Sequence, residues 1–208
     1  MDLIVDGNRV DVTGDAAAGV KSVLEGLTKF LRTQGRAVVA VSIDGKSLNP
    51  SALAEHIDVP GEVKVLQVSS ASIAEMADNT LNELHEALTS LPAACRDLAA
   101  VFQGASPEDG FDPFANLASI WGDIKKRENT VIGVLDLSLD TLTLQGSTLA
   151  SLHNKLNEQL CEAEQALKAN DFVLLGDLLE YELAPRAEQE TAIVDLLHAR
   201  VRDRFPKA

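Results

Sequence analysis

The chain has 208 residues, a formal charge of −14, 46% hydrophobic residues and only 4% aromatic ones. That length suits one large or two small domains, with a core of Leu, Val, Ile and Ala in place of aromatic rings. The charge is uneven, −2 over residues 1–68 and −12 over residues 69–208, and a field of that sign repels nucleic acid and anionic membrane surfaces.

No run of about 18 apolar residues is present, and the start MDLIVDGNRV lacks a basic, then apolar, export signal. The expected location is the cytoplasm, with no membrane insertion. Cys95 and Cys161 each lie in a helical pattern; they read as reduced, partly buried small hydrophobes and not as a disulfide framework.

Residues 3–5 and 9–12 are short β-type segments separated by Asp6-Gly7-Asn8, a turn signal because Gly and Asn tolerate positive φ. After Thr13-Gly14-Asp15, apolar residues at Val20, Val23, Leu24, Leu27, Phe30 and Leu31 have the spacing of an amphipathic helix that Gly35 ends. Two more strands follow, Ala37 to Ile43 before Asp44-Gly45, and Val63 to Val68 after Pro60-Gly61, with a single helical turn expected over Ser51 to His56. The order ββαββ over residues 1–69 resembles the β-grasp (ubiquitin-like) arrangement, which implies a helix packed across a small mixed sheet and implies no particular function.

Beyond Ser69 the period becomes helical. Ile73, Ala77, Leu81, Leu84, Leu88 and Leu91 form a stripe, continued by Leu98, Val101 and Phe102, with Pro92 expected to kink or divide the helix. Residues 104–113 read as a loop. A second stripe runs from Phe114 through Leu117, Trp121, Ile124, Val131 and Leu135 to Leu139, and a third from Leu142 through Leu149, Leu152, Leu156 and Leu160 to Leu167, with the break near Asp140-Thr141. Asn170-Asp171 is a stop and start pair. A fourth helical region carries Phe172, Leu175, Leu179 and Leu183, meets Pro185, and resumes through Ile193, Val194, Leu197 and Val201. The expected fold class is α+β: a small N-terminal β-grasp-like unit over 1–69, then an elongated antiparallel four-helix-type bundle over 70–208.

Gly14 to Ser22 imitates a phosphate-binding loop but has one residue inserted before Lys21, and Asp15 adds repulsion; with Ala37 to Asp44 it reads as a helix start and a strand end. Dinuclear metal sites in bundles use Glu-x-x-His pairs, and no Glu stands three residues before His85, His153 or His198. Asp177, Glu180 and Glu182 spread around their helix and do not converge. Cys161 and His153 are about 12 Å apart along a helix axis and cannot hydrogen-bond, and Cys95 with His85 is no better. The basic runs, Lys125-Lys126-Arg127 and Arg200 to Lys207, read as solvated helix faces or favourable charge near helix C-termini. No catalytic, cofactor or metal residue is assigned.

What remains is surplus apolar surface. Leu174, Leu175, Leu178 and Leu179 are nearly hydrophobic around the helix circumference. The sequence therefore points to a bacterial, non-enzymatic protein-interaction module (adaptor, assembly factor or export-chaperone-like) that binds another protein and is itself a homodimer. Its expected contacts are Leu174, Leu178, Tyr181 and Pro185. The competing reading is a small-ligand or peptide sensor.

Overall fold

A computed structural model describes residues 1–10, 19–48 and 63–206. It is a mixed α+β protein, a small N-terminal sheet followed by a helical region, and it divides into two compact units, Met1–Met76 and Ala77–Ala208. The division falls beyond Ser69 because the last strand of the sheet runs on to Ser72 and passes directly into a helix. The helical turn expected over 51–56, residues 11–12 of the second strand, and Gly14 to Ala18 of the loop-like motif lie outside the described residues.

In the first unit, β1 (Asp2–Val5), β2 (Asn8–Val10), β3 (Arg36–Ile43), β4 (Lys46–Leu48) and β5 (Val65–Ser72) form one sheet in the order β2-β1-β5-β3-β4. β1 and β5 are parallel; the other pairs are antiparallel. Alternation places Leu3, Val41, Ile43, Leu66 and Val68 in the core, where α1 (Val20–Thr33) covers them with Leu24, Val20, Val23 and Leu27. Two-residue turns at Asp6-Gly7 and Asp44-Gly45 have positive φ at both positions, the type I′ geometry whose twist matches the strands. The Asp44 carboxylate, at the strand end expected from the sequence, accepts the backbone N–H groups of Lys64 and Val65 at 3.0 and 2.8 Å. It is a strand-end cap.

The second unit is built from α2 (Ile73–Phe102, counted from Ala77), α3 (Phe111–Val134), α4 (Leu149–Lys168), α5 (Phe172–Asp177) and α6 (Ala184–Arg204). Four sequence expectations change. Pro92 does not divide α2, because Leu88, Leu91 and Cys95 are buried on either side of it and their packing offsets a proline cost of about 3 kcal/mol. The loop expected over 104–113 is largely helical: a 3₁₀ turn occupies Pro107–Gly110 and α3 starts at Phe111, with Pro113 in its first turn, where no N–H donor is needed. α3 stops at Val134, well before Asp140. There a small hairpin, β6 (Thr143–Leu144) and β7 (Ser147–Thr148), turns on Gln145-Gly146. The buried face of α4 passes from Leu152 and Leu156 to Gln159, Ala163 and Ala166, leaving Leu160 and Leu167 only half-buried.

Asn170 has positive φ, and Asp171 caps α5 by accepting the Leu174 N–H at 3.0 Å. Between α5 and α6 lies a π-helical turn, Leu178–Leu183. Leu178 with Leu183 and Leu179 with Ala184 are buried pairs five residues apart, which the wider π turn keeps on the core side. Pro185, which lacks an N–H, follows it in the first turn of α6.

Candidate functional site

The buried stripe of α3 runs Phe114, Leu117, Trp121, Ile124, Glu128, Val131, and that of α6 runs Ala187, Glu190, Val194, Leu197, Val201. Glu128 and Glu190 are thus charged residues at core positions, and both are completely buried. His153 of α4 and Arg186, one turn before Glu190, are also buried. Lys125 reaches the group from one turn before Glu128, with 15% of its side chain exposed.

Lys125 Nζ donates to Glu128 Oε2 at 2.9 Å and to Glu190 Oε1. Arg186 Nη1 lies 2.8 Å from Glu190 Oε2 and His153 Nε2 lies 3.3 Å from Glu128 Oε2, both close approaches without hydrogen-bond alignment. Arg186 Nη1 donates instead to Gln189 Oε1 at 3.4 Å. Glu128 Oε1, His153 Nε2, Glu190 Oε2, and Arg186 Nε and Nη2 make no aligned hydrogen bond. Buried polar atoms are nearly always paired, so five such atoms in one cluster set it apart from the surrounding apolar core.

Burial pushes the Glu190 carboxyl up to about 7, with the Glu128 carboxylate adding to the shift and Lys125 and Arg186 opposing it. Burial also lowers His153 to about 4, reinforced by Lys125 and partly opposed by Glu190. Near neutral pH the imidazole is uncharged, so the cationic partners of the carboxyl pair are Lys125 and Arg186. One ligand atom each from Glu128, His153 and Glu190 lies within 4.8 Å of the others.

Sequence reading missed this constellation. It set His153 aside for want of a Glu at position 150, whereas the carboxylates come from two other helices. Lys125, read as part of a solvated face, turns into the core; Arg127 of the same run pairs with Glu83 at 2.6 Å on the surface. The available signal was a charged residue on a stripe position, Glu128 between Ile124 and Val131.

The sequence-assigned contact residues separate. Leu174 and Pro185 are exposed and Tyr181 is 65% exposed, but Leu178 is buried in the core and unavailable to a partner. Leu175 and Leu179 are fully buried as well, so the leucine-rich circumference is mostly interior. Exposed apolar groups near them that the sequence did not single out include Val173, 68% exposed, and Phe111, whose ring contacts Phe102 and Phe172 at centroid distances of 6.3 and 6.0 Å. The cysteines differ from their expected partial burial: Cys95 is fully buried, which pushes its thiol up to about 11, and Cys161 is exposed. Neither forms a disulfide.

No helix among the described residues is long and apolar enough to cross a membrane. Residues 1–66 are similar to the TP0873 N-terminal domain. An "Uncharacterized protein" of Treponema pallidum (strain Nichols) is 20% identical over 189 residues, covering 89% of this chain and 92% of that protein. No solved structure matches the chain. Residues 79–190, more than half the chain and a span that includes Glu128, His153 and Glu190, match the model of the Domain of unknown function DUF8042, and the chain belongs to that family.

Proposed function

We propose that the protein is a non-enzymatic, cytoplasmic protein-interaction module that acts through its helical unit. The observation that supports this reading is the apolar surface around the start of α5. The Phe111 and Phe172 rings touch, and Val173 and Leu174 follow Phe172 directly, with Tyr181 two turns further along the same segment. Single exposed apolar residues are ordinary, but a run of neighbouring ones favours contact with another polypeptide. Tyr and Phe suit such a surface because they bury much area at small entropic cost. A second copy of the chain is the first partner to test, since a twofold axis lets one apolar patch cover its own equivalent. The strong negative charge disfavours nucleic acid as the partner.

On this reading the first unit is β-grasp-like, a view favoured by its β2-β1-β5-β3-β4 order, and the second is an antiparallel four-helix-type bundle in which α5, the π turn and α6 form the fourth segment. Light scattering across a concentration series tests the proposal. The expected result is a dimer that Val173→Asp with Tyr181→Ala converts to monomer; both residues are exposed, so the fold should persist by circular dichroism. A wild-type chain that stays monomeric and captures no protein from a native extract would overturn it.

A further inference from the structure

We infer that Glu128, His153 and Glu190 form a binding site for one borderline divalent cation of the Zn²⁺ kind, which enters by displacing the Lys125 ammonium.

Three observations converge on this site. First, the three residues come from three different helices, α3, α4 and α6, and present ligand atoms within 4.8 Å of one another. Ligand atoms about 2.0 to 2.2 Å from a shared metal stand roughly 3 to 4 Å apart, so side-chain adjustments of about an ångström close the set. Second, Glu128 Oε1, in a completely buried residue, and His153 Nε2, in a buried one, have no hydrogen-bond partner. A core that tolerates unpaired polar atoms on adjacent side chains is suited to a cation that would bind them together. Third, the position between the two carboxylates already attracts positive charge, because Lys125 Nζ donates to both. Lys125 is also the most exposed member of the cluster, with 15% of its side chain accessible against none for either glutamate. It can withdraw to solvent along its own stem, whereas Arg186, 3% exposed, is held inside.

The donor set decides the class of ion. One imidazole and two carboxylates suit Zn²⁺, Mn²⁺ or Fe²⁺ better than Ca²⁺ or Mg²⁺, which take all-oxygen shells. Arg186 remains as a counter-charge to Glu190 and limits the affinity. Three protein ligands leave a position for water.

The test uses the full chain stripped with chelator and titrated with Zn²⁺ by calorimetry. One equivalent should bind the wild type. Lys125→Ala, which removes the competing ammonium, should bind at least ten-fold more tightly, and Glu190→Gln at least ten-fold more weakly. Nitrogen NMR of the side chains distinguishes this site from adventitious binding on surface acids: of the four histidines, only His153 should show a shifted Nε2 resonance. Absence of a one-equivalent site in the wild type overturns the proposal. So does a site whose filling leaves His153 unmoved, or a Lys125→Ala chain that binds no more tightly. If Glu190→Gln fails to fold, the wild-type resonances and the Lys125→Ala titration decide the matter unaided.

Discussion

His153 and Glu190, on different helices of one buried cluster, are displaced from their ordinary titration ranges so that their effects on stability oppose each other. Burial lowers His153 to about 4 from 6.5 and raises Glu190 to about 7 from 4.5. The folded histidine therefore binds fewer protons than the unfolded one between about pH 4 and 6.5, and stability gains from it as pH rises through that window. The folded glutamate binds more protons than the unfolded one between about pH 4.5 and 7, and stability falls as pH rises there. In the chelated wild type the two slopes oppose each other between about pH 4.5 and 6.5. Urea denaturation at several pH values should therefore give a slope of stability with pH that is more negative for His153→Gln than for the wild type, and more positive for Glu190→Gln. Parallel curves for all three chains would show that the two groups do not titrate in this manner.

Arg186 and Arg96 each pair with a glutamate of α6, in opposite surroundings. Arg96 meets Glu188 at 2.5 Å with both side chains about half exposed, and an ion pair of that kind contributes about 0 to 1 kcal/mol. Arg186 meets a completely buried Glu190, and removing it leaves Lys125 alone to balance the buried Glu128 and Glu190 carboxylates; breaking a buried pair outright costs about 3 to 5 kcal/mol, and the remaining ammonium offsets part of that. Arg186→Ala should accordingly lower the unfolding free energy by up to about 3 kcal/mol at pH 8, and Arg96→Ala by under about 1 kcal/mol. Protonation of Glu190 removes the excess negative charge, so the Arg186→Ala deficit should shrink toward pH 5. Denaturant midpoints at the two pH values read both effects.

Much of the fold was legible from local chemistry. Asp6-Gly7 and Asp44-Gly45 announce their turns because Asp and Gly accept positive φ, and Asp171 announces a cap because its carboxylate reaches the Leu174 N–H. Gln145-Gly146 adopts the same turn geometry, but Gln is an ordinary helix former, so a leucine-rich pattern obscured the hairpin. Pro92 misleads for a different reason: whether proline breaks a helix depends on the packing around it, which is not local information. The cluster was hidden for the same cause. Helical spacing places Glu128 and Glu190 on their stripes, yet only the assembly of α3, α4 and α6 shows that those positions meet each other and His153 out of water.

Gly110 offers a steric test near the other end of α3. A Cβ added there would lie 2.7 Å from the Phe102 ring, which is 1% exposed and touches Phe111, Phe114 and Phe172. The ring has no room to move, so Gly110→Ala should destabilise by about 1 to 3 kcal/mol, as overpacking of a core does. Gly176→Ala makes the useful contrast. Its Cβ would meet the Gln103 side chain at 2.6 Å, but that chain is flexible and exposed and can swing away, at the loss of its hydrogen bond to Asp177. The expected cost is under about 1 kcal/mol, the ordinary range for a surface hydrogen bond. Melting temperatures should separate the two variants, and equal losses would mean that the Phe102 ring is free to relax.

In the first unit, Asp6 accepts both the backbone N–H and the hydroxyl of Ser70 at 2.6 Å, and Arg36 donates to the same carboxylate at 3.2 Å. The Ser70 hydrogen bonds are the largest cause holding the Asp6 carboxyl below the ordinary aspartate value of 3.8, with Arg36 contributing less. Because the folded value is depressed, the associated stability is present above about pH 4 and is lost as pH falls through the folded value. Ser70→Ala removes the hydroxyl donor and keeps the N–H, so the Asp6 carboxyl resonance should titrate at higher pH than in the wild type while remaining below 3.8. Arg36→Ala should move it less, since the guanidinium is the weaker influence. The opposite ranking in an NMR titration would make the ion pair, and not the hydroxyl, the group that joins the β1 turn to β5.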